Sequence, residues 1–135
     1  MKEVDWEKGI SKMKRVLANL AKEYREMAKD PVDRKYITSI AMKEGDEGDF
    51  SDLLRYLTGL LHKETGKKVI LLVDEYDVPI EAAYAYRNND PKYYDNMVAF
   101  MRNMLTAALK DNEHLEFGIL TGVYRVAKES IFSGL

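Results

Sequence analysis

The stretch Val69-Ile-Leu-Leu-Val73, followed at once by Asp74-Glu-Tyr-Asp77, decides the fold expected of this chain. Five consecutive apolar residues predict a buried β-strand, because a strand that is covered on both faces does not alternate apolar with polar side chains. The acids that follow would then lie at the carboxyl end of the strand. Oxygen ligands of this kind suit a divalent cation such as magnesium, so the same stretch predicts where chemistry would take place.

The sequence before this strand has the periodicity of helices. Apolar residues recur every three or four positions from Asp5 to Lys29, which predicts a long amphipathic helix capped by Asp5 and stopped at Asp30-Pro31. A second, weaker helical stretch runs from about 33 to 42, and a polar, glycine-containing loop is predicted over 43–49. The next helix, capped by Asp49 or Ser51, should end near residue 66, where a glycine is a suitable C-cap.

The sequence after the strand predicts two helices, over about 78–87 and 92–110, and then a second apolar strand over Phe117–Thr121. A final helix is predicted within 124–135. Two strands joined by a helical crossover of about forty residues should lie parallel in one sheet. The expected fold is therefore α/β: a partial parallel sheet of at least two strands flanked by helices, with a helical half over 1–66 and a strand-containing half over 67–135.

Composition limits the possible functions. The 135 residues are 46% hydrophobic and 33% charged, as in a soluble single domain, and a formal net charge of -2 gives no general attraction to nucleic acid or anionic lipid. No apolar run approaches a membrane span, so a cytoplasmic protein is expected. There is no cysteine, and the two histidines, His62 and His114, are far apart in sequence and predict a poor metal site. A bound metal would then be held by oxygen, as Mg²⁺ is.

The carboxyl ends of parallel strands meet at one edge of a sheet, where α/β proteins bind their ligands. This geometry brings Asp74, Glu75 and Thr121 to one rim, with Arg125 about one turn further along the chain. Each residue also has a simpler interpretation: a strand-end acid often caps a turn, and a helical arginine is often only solvated. Asp77, two residues before a proline, is predicted to cap the helix that follows.

In P-loop NTPases an acid at the end of a buried strand helps to hold the metal, and in many ATPases the next glutamate orients the attacking water. Such a site also needs a phosphate-binding loop. The motif G-x-x-x-x-G-K-[ST] occurs nowhere in the chain, so the loop and its lysine are expected to lie outside this polypeptide or not to exist. The sequence alone therefore predicts half of a nucleotide site.

Three stretches together resemble the central part of the AAA-ATPase-like family of predicted bacterial and archaeal P-loop ATPases. They are VILLVDEYDVPI (69–80), FMRNMLTAALKDN (100–112) and ILTGVYRVAKESIFSGL (119–135). The resemblance implies that Asp74 is the Walker B acid that binds Mg²⁺ and that Glu75 is the candidate catalytic base. It implies, less specifically, a sensor-like role for Thr121 and a phosphate-proximal role for Arg125.

The resemblance also implies ATP and Mg²⁺ as cofactors of a complete protein, and it marks the chain as a partial domain without its phosphate loop. Alone, the chain is not expected to hydrolyse ATP. The strand that carries the loop would lie beyond the second strand, so the edge along Phe117–Thr121 would be open and would favour edge pairing or a homo-oligomer. The alternative function is a non-enzymatic helical interaction module with structural acids. A metal-dependent nuclease is disfavoured, because no suitably spaced lysine follows the paired acids.

Overall fold

The computed structural model describes residues 5–123 and residue 131. Its helices are α1 (Trp6–Tyr24), α2 (Pro31–Ala41), α3 (Glu47–Ser51), α4 (Leu53–Thr65), α5 (Val78–Ala85) and α6 (Pro91–Leu109). Strand β1 (Val69–Val73) lies between α4 and α5, β2 (Leu115–Leu120) follows α6, and a 3-10 turn (Arg25–Met27) follows α1. The predicted α/β class is confirmed: the amino-terminal half is helical, and the two strands form a parallel sheet flanked by helices.

Aspartates begin the first two helices. The Asp5 side chain accepts a hydrogen bond from the Lys8 N–H at 2.9 Å, as the predicted cap of α1 requires. Asp30 accepts from the Val32 N–H at 2.7 Å and places Pro31 in the first turn of α2. The Asp30-Pro31 pair therefore starts α2, which begins two residues earlier than the sequence predicted.

The loop predicted over 43–49 is partly wrong, because α3 begins inside it. The Asp49 N–H donates to the Asp46 carboxylate at 2.8 Å, and the Asp46 N–H donates to the Asp49 carboxylate at 3.1 Å. This reciprocal pair is a capping box for α3, so Asp49 does not cap the helix that follows. Ser51 does not cap it either: Asp52 precedes α4, and its side chain makes no capping bond. The C-cap is as predicted, with Gly66 in the left-handed conformation at φ 74°.

Helix α6 lies at the centre of the core. Its buried face contacts α1, α3, α4, α5 and β2. The buried side chains of α6 include Met97, Phe100, Met101, Met104 and Leu105. Because this one helix contacts both the helical half and the strands, it connects the two halves through a common core.

The two strands are covered on one face only within the described residues. Leu71, Val73 and Leu120 pack against the core, and the residues that alternate with them point away from it. Leu72 is 68% exposed and Ile70 51%, while Phe117 and Ile119 are each 48% exposed. The prediction that β1 is buried is therefore wrong for one of its faces. The apolar composition of a strand does not reveal whether a second layer is present.

None of the described helices combines the length and the apolar character that a membrane span requires.

Candidate functional site

The parallel pairing brings the ends of the two strands together. Val73 lies opposite Leu120 in the register, and the Thr121 N–H donates to the Val73 carbonyl at 2.9 Å. The Tyr76 N–H then donates to the Thr121 carbonyl at 3.0 Å, so the connection continues beyond the strands. The segments after β1 and β2 therefore form one rim, as the crossover predicted.

The Thr121 side chain connects the two segments a second time. Its hydroxyl donates to Oδ1 of Asp74 and accepts a hydrogen bond from the Glu75 N–H at 3.0 Å. Glu75 has a φ of 54°, a conformation that costs a residue with a side chain about 1 to 2 kcal/mol. The side chains of Asp74 and Glu75 remain exposed. The structure thus brings together three of the residues that the sequence selected, with both acids open to a ligand.

Asp77 has a different contact from the predicted one. Although it precedes α5, its side chain makes no capping bond to that helix. The carboxylate is buried, with 1% of the residue exposed, and Oδ2 accepts a hydrogen bond from the Val123 N–H at 2.6 Å. The predicted cap is therefore wrong. Asp77 instead holds the backbone that follows β2 in place, and it belongs to the rim as a buried residue.

Gly122 fits between these groups because it has no side chain. A Cβ atom there would lie 2.7 Å from Cε1 of Tyr76 and 2.9 Å from Cγ of Asp77. Both neighbours are buried, so neither can move freely to make room. Nothing in the neighbouring sequence shows why a glycine is needed at this position. Its steric role depends on Tyr76 and Asp77, which are more than forty positions away.

Arg125 lies outside the described residues, as does almost all of the predicted closing helix. Its proposed contact with phosphate therefore stays a prediction. Ile131, the one described residue of this segment, is buried in the core.

The fit of this rim to magnesium can be judged from its oxygen atoms. Within the described residues, no group of three or more acidic, histidine or cysteine side chains could hold a metal ion. Mg²⁺ in nucleotide sites is commonly bound through one or two carboxylates together with substrate phosphates and water. One exposed carboxylate, that of Asp74, fits such a shared site and does not make a metal site by itself. The Thr121 hydroxyl donates a hydrogen bond to one oxygen of the Asp74 carboxylate and so fixes the orientation of this carboxylate.

The structure also brings together two histidines that lie far apart in the sequence. Nδ1 of His62, in the last turn of α4, lies 2.9 Å from Nδ1 of His114, which precedes β2. No local signal predicts this pair, since it depends on how α4 packs beside the start of the sheet.

Two parallel strands, with acids after β1 that the Thr121 hydroxyl after β2 connects, define an α/β protein with a polar rim at the carboxyl ends of its strands. The chain belongs to the AAA-ATPase-like family, described as predicted AAA-ATPase, whose family model matches residues 1–132. It is 33% identical over 86 residues to a curated protein of Azotobacter chroococcum mcd 1, described as an uncharacterized protein in the vnfD 5' region. That match covers 64% of this chain and 15% of the relative. No solved structure matches the chain.

Proposed function

We propose that this chain is part of a P-loop ATPase-like domain, in which β1 is the Walker B strand and β2 the sensor strand. Family membership supports an ATPase-like domain in general. The finer assignment is supported by one observation above all: the Thr121 hydroxyl contacts both the Asp74 carboxylate and the Glu75 N–H. A polar side chain directly after the neighbouring strand, hydrogen-bonded to the Asp74 carboxylate, is suitably placed to contact a water beside the acids, as a sensor would.

Each rim residue has a role in this proposal. Asp74 would hold Mg²⁺ through its exposed carboxylate, and the ion would neutralise charge on the nucleotide phosphates when bound. Glu75 would orient the attacking water. Thr121 holds the Asp74 carboxylate in one orientation. Arg125 would lie near the phosphates.

The phosphate cradle would have to come from another segment, because its motif does not occur in these 135 residues. A single exposed carboxylate provides few contacts to Mg-ATP, so we expect the chain alone to bind it weakly and not to hydrolyse it. Isothermal calorimetry with Mg-ATP tests this expectation. Binding at micromolar concentrations would contradict it and would show that the loop is dispensable or replaced.

The assignment of Glu75 is tested in a protein that contains the same chain together with a phosphate-loop segment. Glu75→Gln should abolish turnover while ATP binding persists, because an amide keeps the shape and loses the basic oxygen. The matched control is Glu116→Gln, which changes an exposed acid in β2 away from the rim and should keep wild-type turnover. Full turnover in Glu75→Gln would overturn the assignment.

We also propose that the chain forms a single partial domain, located in the cytoplasm, that pairs with another chain or segment along the edge of β2. Within the described residues β2 pairs only with β1, so the backbone along its other edge has no strand partner there. Such an edge recruits a further strand. Size-exclusion chromatography with light scattering should detect a concentration-dependent dimer, and a monomer at every concentration would count against edge pairing.

A second candidate function is a protein-interaction module, and an apolar groove favours it. Side chains of α1, α4 and β1 line this groove of about 560 Å³, which includes Val16 at 61% exposure and Leu72 at 68%. In this alternative the acids are structural. Wild-type turnover in the protein that carries the phosphate loop would then be absent, and Glu75→Gln would change nothing.

A further inference from the structure

His62 and His114 form a pair at the end of the sheet opposite to the acidic rim. The two Nδ1 atoms are 2.9 Å apart, the ring centroids are 5.1 Å apart, and the ring planes meet at 69°. His114 lies at the amino ends of the strands, where its carbonyl accepts the Val69 N–H at 2.9 Å. Five strand residues span roughly 16 Å, so this pair is distant from Asp74 and belongs to a different site.

The backbone on both sides of the pair is fixed. The His62 carbonyl accepts the Gly66 N–H at 2.8 Å, which closes the last turn of α4. The His114 N–H donates to Oδ1 of Asn112 at 3.0 Å, and its carbonyl is bonded to β1. The two rings are therefore held close together by separate elements of the fold, which lowers the entropic cost of binding a common ligand.

The spacing of the two nitrogens matches that of neighbouring ligands on one metal ion. Two imidazole nitrogens that lie about 2.0 Å from a metal and at right angles to each other are about 2.8 Å apart, close to the 2.9 Å between the two Nδ1 atoms. Tetrahedral ligands at the same metal distance would be about 3.3 Å apart. Right angles between nitrogen ligands are typical of Cu²⁺ and Ni²⁺, and the affinity of nitrogen sites rises toward Cu²⁺ among the first-row divalent ions.

On the His114 side of the pair, a cavity is large enough for an ion and its water. The His114 side chain is 35% exposed and lines a cavity of about 540 Å³ whose wall also contains Asp33 and Asp52. Two cationic side chains of this wall have other contacts. The Lys63 ammonium pairs with Asp33 at 2.5 Å, and the Arg55 guanidinium donates to the Ala107 carbonyl at 2.8 Å.

We propose that His62 and His114 bind Cu²⁺ or Ni²⁺ through both Nδ1 atoms, with water in the remaining positions. In the metal-free pair one Nδ1–H donates a hydrogen bond to the other Nδ1. On binding, that ring carries its proton on Nε2, so both Nδ1 lone pairs face the metal and no proton is lost or gained overall. Water completes the coordination because, among the described residues, no third metal-ligating side chain joins the pair.

Calorimetric titration of the 135-residue chain with Cu²⁺ or Ni²⁺, at about pH 7.5 where free imidazole is mostly neutral, tests this site. One ion per chain should bind. His62→Gln and His114→Gln should each lower the affinity at least tenfold, since even the loss of an outer-shell partner costs about that much. Glu64→Gln, an exposed acid two residues from His62, is the matched control and should bind as wild type does.

Equal affinity in wild type and in both histidine variants would overturn the proposal, because the ion would then be bound elsewhere. If a variant fails to fold, electron paramagnetic resonance of the wild-type Cu²⁺ complex decides instead. Hyperfine coupling to two imidazole nitrogens is the expected spectrum, and coupling to one or none would overturn the site. Neither result bears on Mg-ATP, so the outcome is independent of the proposed ATPase-like function.

Discussion

The helical half, residues 5–66, and the two strands differ in how far their apolar side chains are buried: the helices bury many of theirs completely, and the strands bury none completely. Ile37, Phe50 and Leu53 in the helical half are completely buried. In the strands, Leu72 and Phe117 are as apolar as these residues, and yet they are about half exposed or more. Parallel sheets are normally covered on both faces. The difference shows that the helices of the described residues complete their own core and cover only one face of the sheet.

The two halves differ in their polar groups as well. Aspartates in the helical half mostly act locally, as Asp5 and Asp46 do at helix starts. In the strand-containing half, Asp74 and Asp77 contact residues more than forty positions away. Local bonds of the first kind stabilise single elements, whereas contacts of the second kind define the rim.

The largest effect is expected when the same substitution, leucine to alanine, is made in each half. Leu53→Ala should lower the free energy of unfolding by about 2 to 5 kcal/mol, because it leaves a cavity in a fully covered site. Leu72→Ala should change it by less than about 0.5 kcal/mol, since that side chain is 68% exposed. Urea unfolding of both variants measures the contrast. A large, concentration-dependent cost for Leu72→Ala would instead show that a second chain covers the sheet.

The next effect concerns the close packing at the rim. Gly122→Ala should destabilise the protein by about 1 to 3 kcal/mol, because its Cβ would overlap Tyr76 and Asp77. Gly48→Ala is the control in the helical half: its Cβ would meet only Oδ1 of Asp46, at 3.4 Å, inside α3. Alanine favours helices over glycine, so Gly48→Ala should be neutral or stabilising. Thermal unfolding of the two variants checks the difference, and equal stability would contradict a tightly packed rim.

A smaller effect separates two aspartates that both precede helices. Asp46→Ala should cost about 1 kcal/mol, because Asp46 caps α3 with its side chain. Asp52→Ala should cost less than about 0.5 kcal/mol, since its side chain makes no capping bond to α4. Chemical denaturation measures both. If Asp52→Ala lowered the free energy of unfolding as much as Asp46→Ala does, an aspartate before a helix would stabilise the protein by its position alone, without a side-chain hydrogen bond.

The smallest effect is a pH dependence in the helical half. Hydrogen bonds from the Lys63 ammonium and the Tyr56 hydroxyl lower the pKa of Asp33 below its ordinary value of 3.8. A carboxyl with a lowered folded-state pKa stabilises the protein above its unfolded pKa, and this stability is lost as the pH falls through the folded pKa.

Thermal melts at several pH values below about 4 measure this loss of stability. Wild type should lose more stability over that range than Asp33→Asn does, because the variant has no proton to take up at this position. Glu64→Gln, which changes an exposed acid outside the Asp33 contacts, should follow the wild-type curve. Parallel curves for wild type and Asp33→Asn would show that the contacts with Lys63 and Tyr56 do not persist in solution.

Several features of the fold could be predicted because their causes are local. The Asp5 cap, the Gly66 C-cap and the apolar run of β1 each depend on a few neighbouring residues. The parallel pairing followed from the length of the crossover, and it brought Asp74 and Thr121 to one rim. Their chemical roles stay predictions, as does that of Arg125.

Other features could not be predicted because they depend on partners distant in sequence. Asp77 was expected to cap α5, and its actual donor, the Val123 N–H, is identifiable only when the strands are paired. The proximity of His62 to His114 depends on the packing of α4 beside the sheet. Periodicity carries no information about contacts of this kind, since it reports only how each segment is covered along its own length.

The sequence by itself determined the helical half except for α3, both strands and the acids that follow β1, because hydrophobic periodicity and capping act within a single element. Tertiary structure alone decided which side chains those acids meet and which face of the sheet is covered. Thr121 bridges Asp74 and Glu75 only because the strands are parallel and in this register. Leu72 is exposed only because the helices pack on the other face, a choice that its apolar neighbours in sequence do not encode.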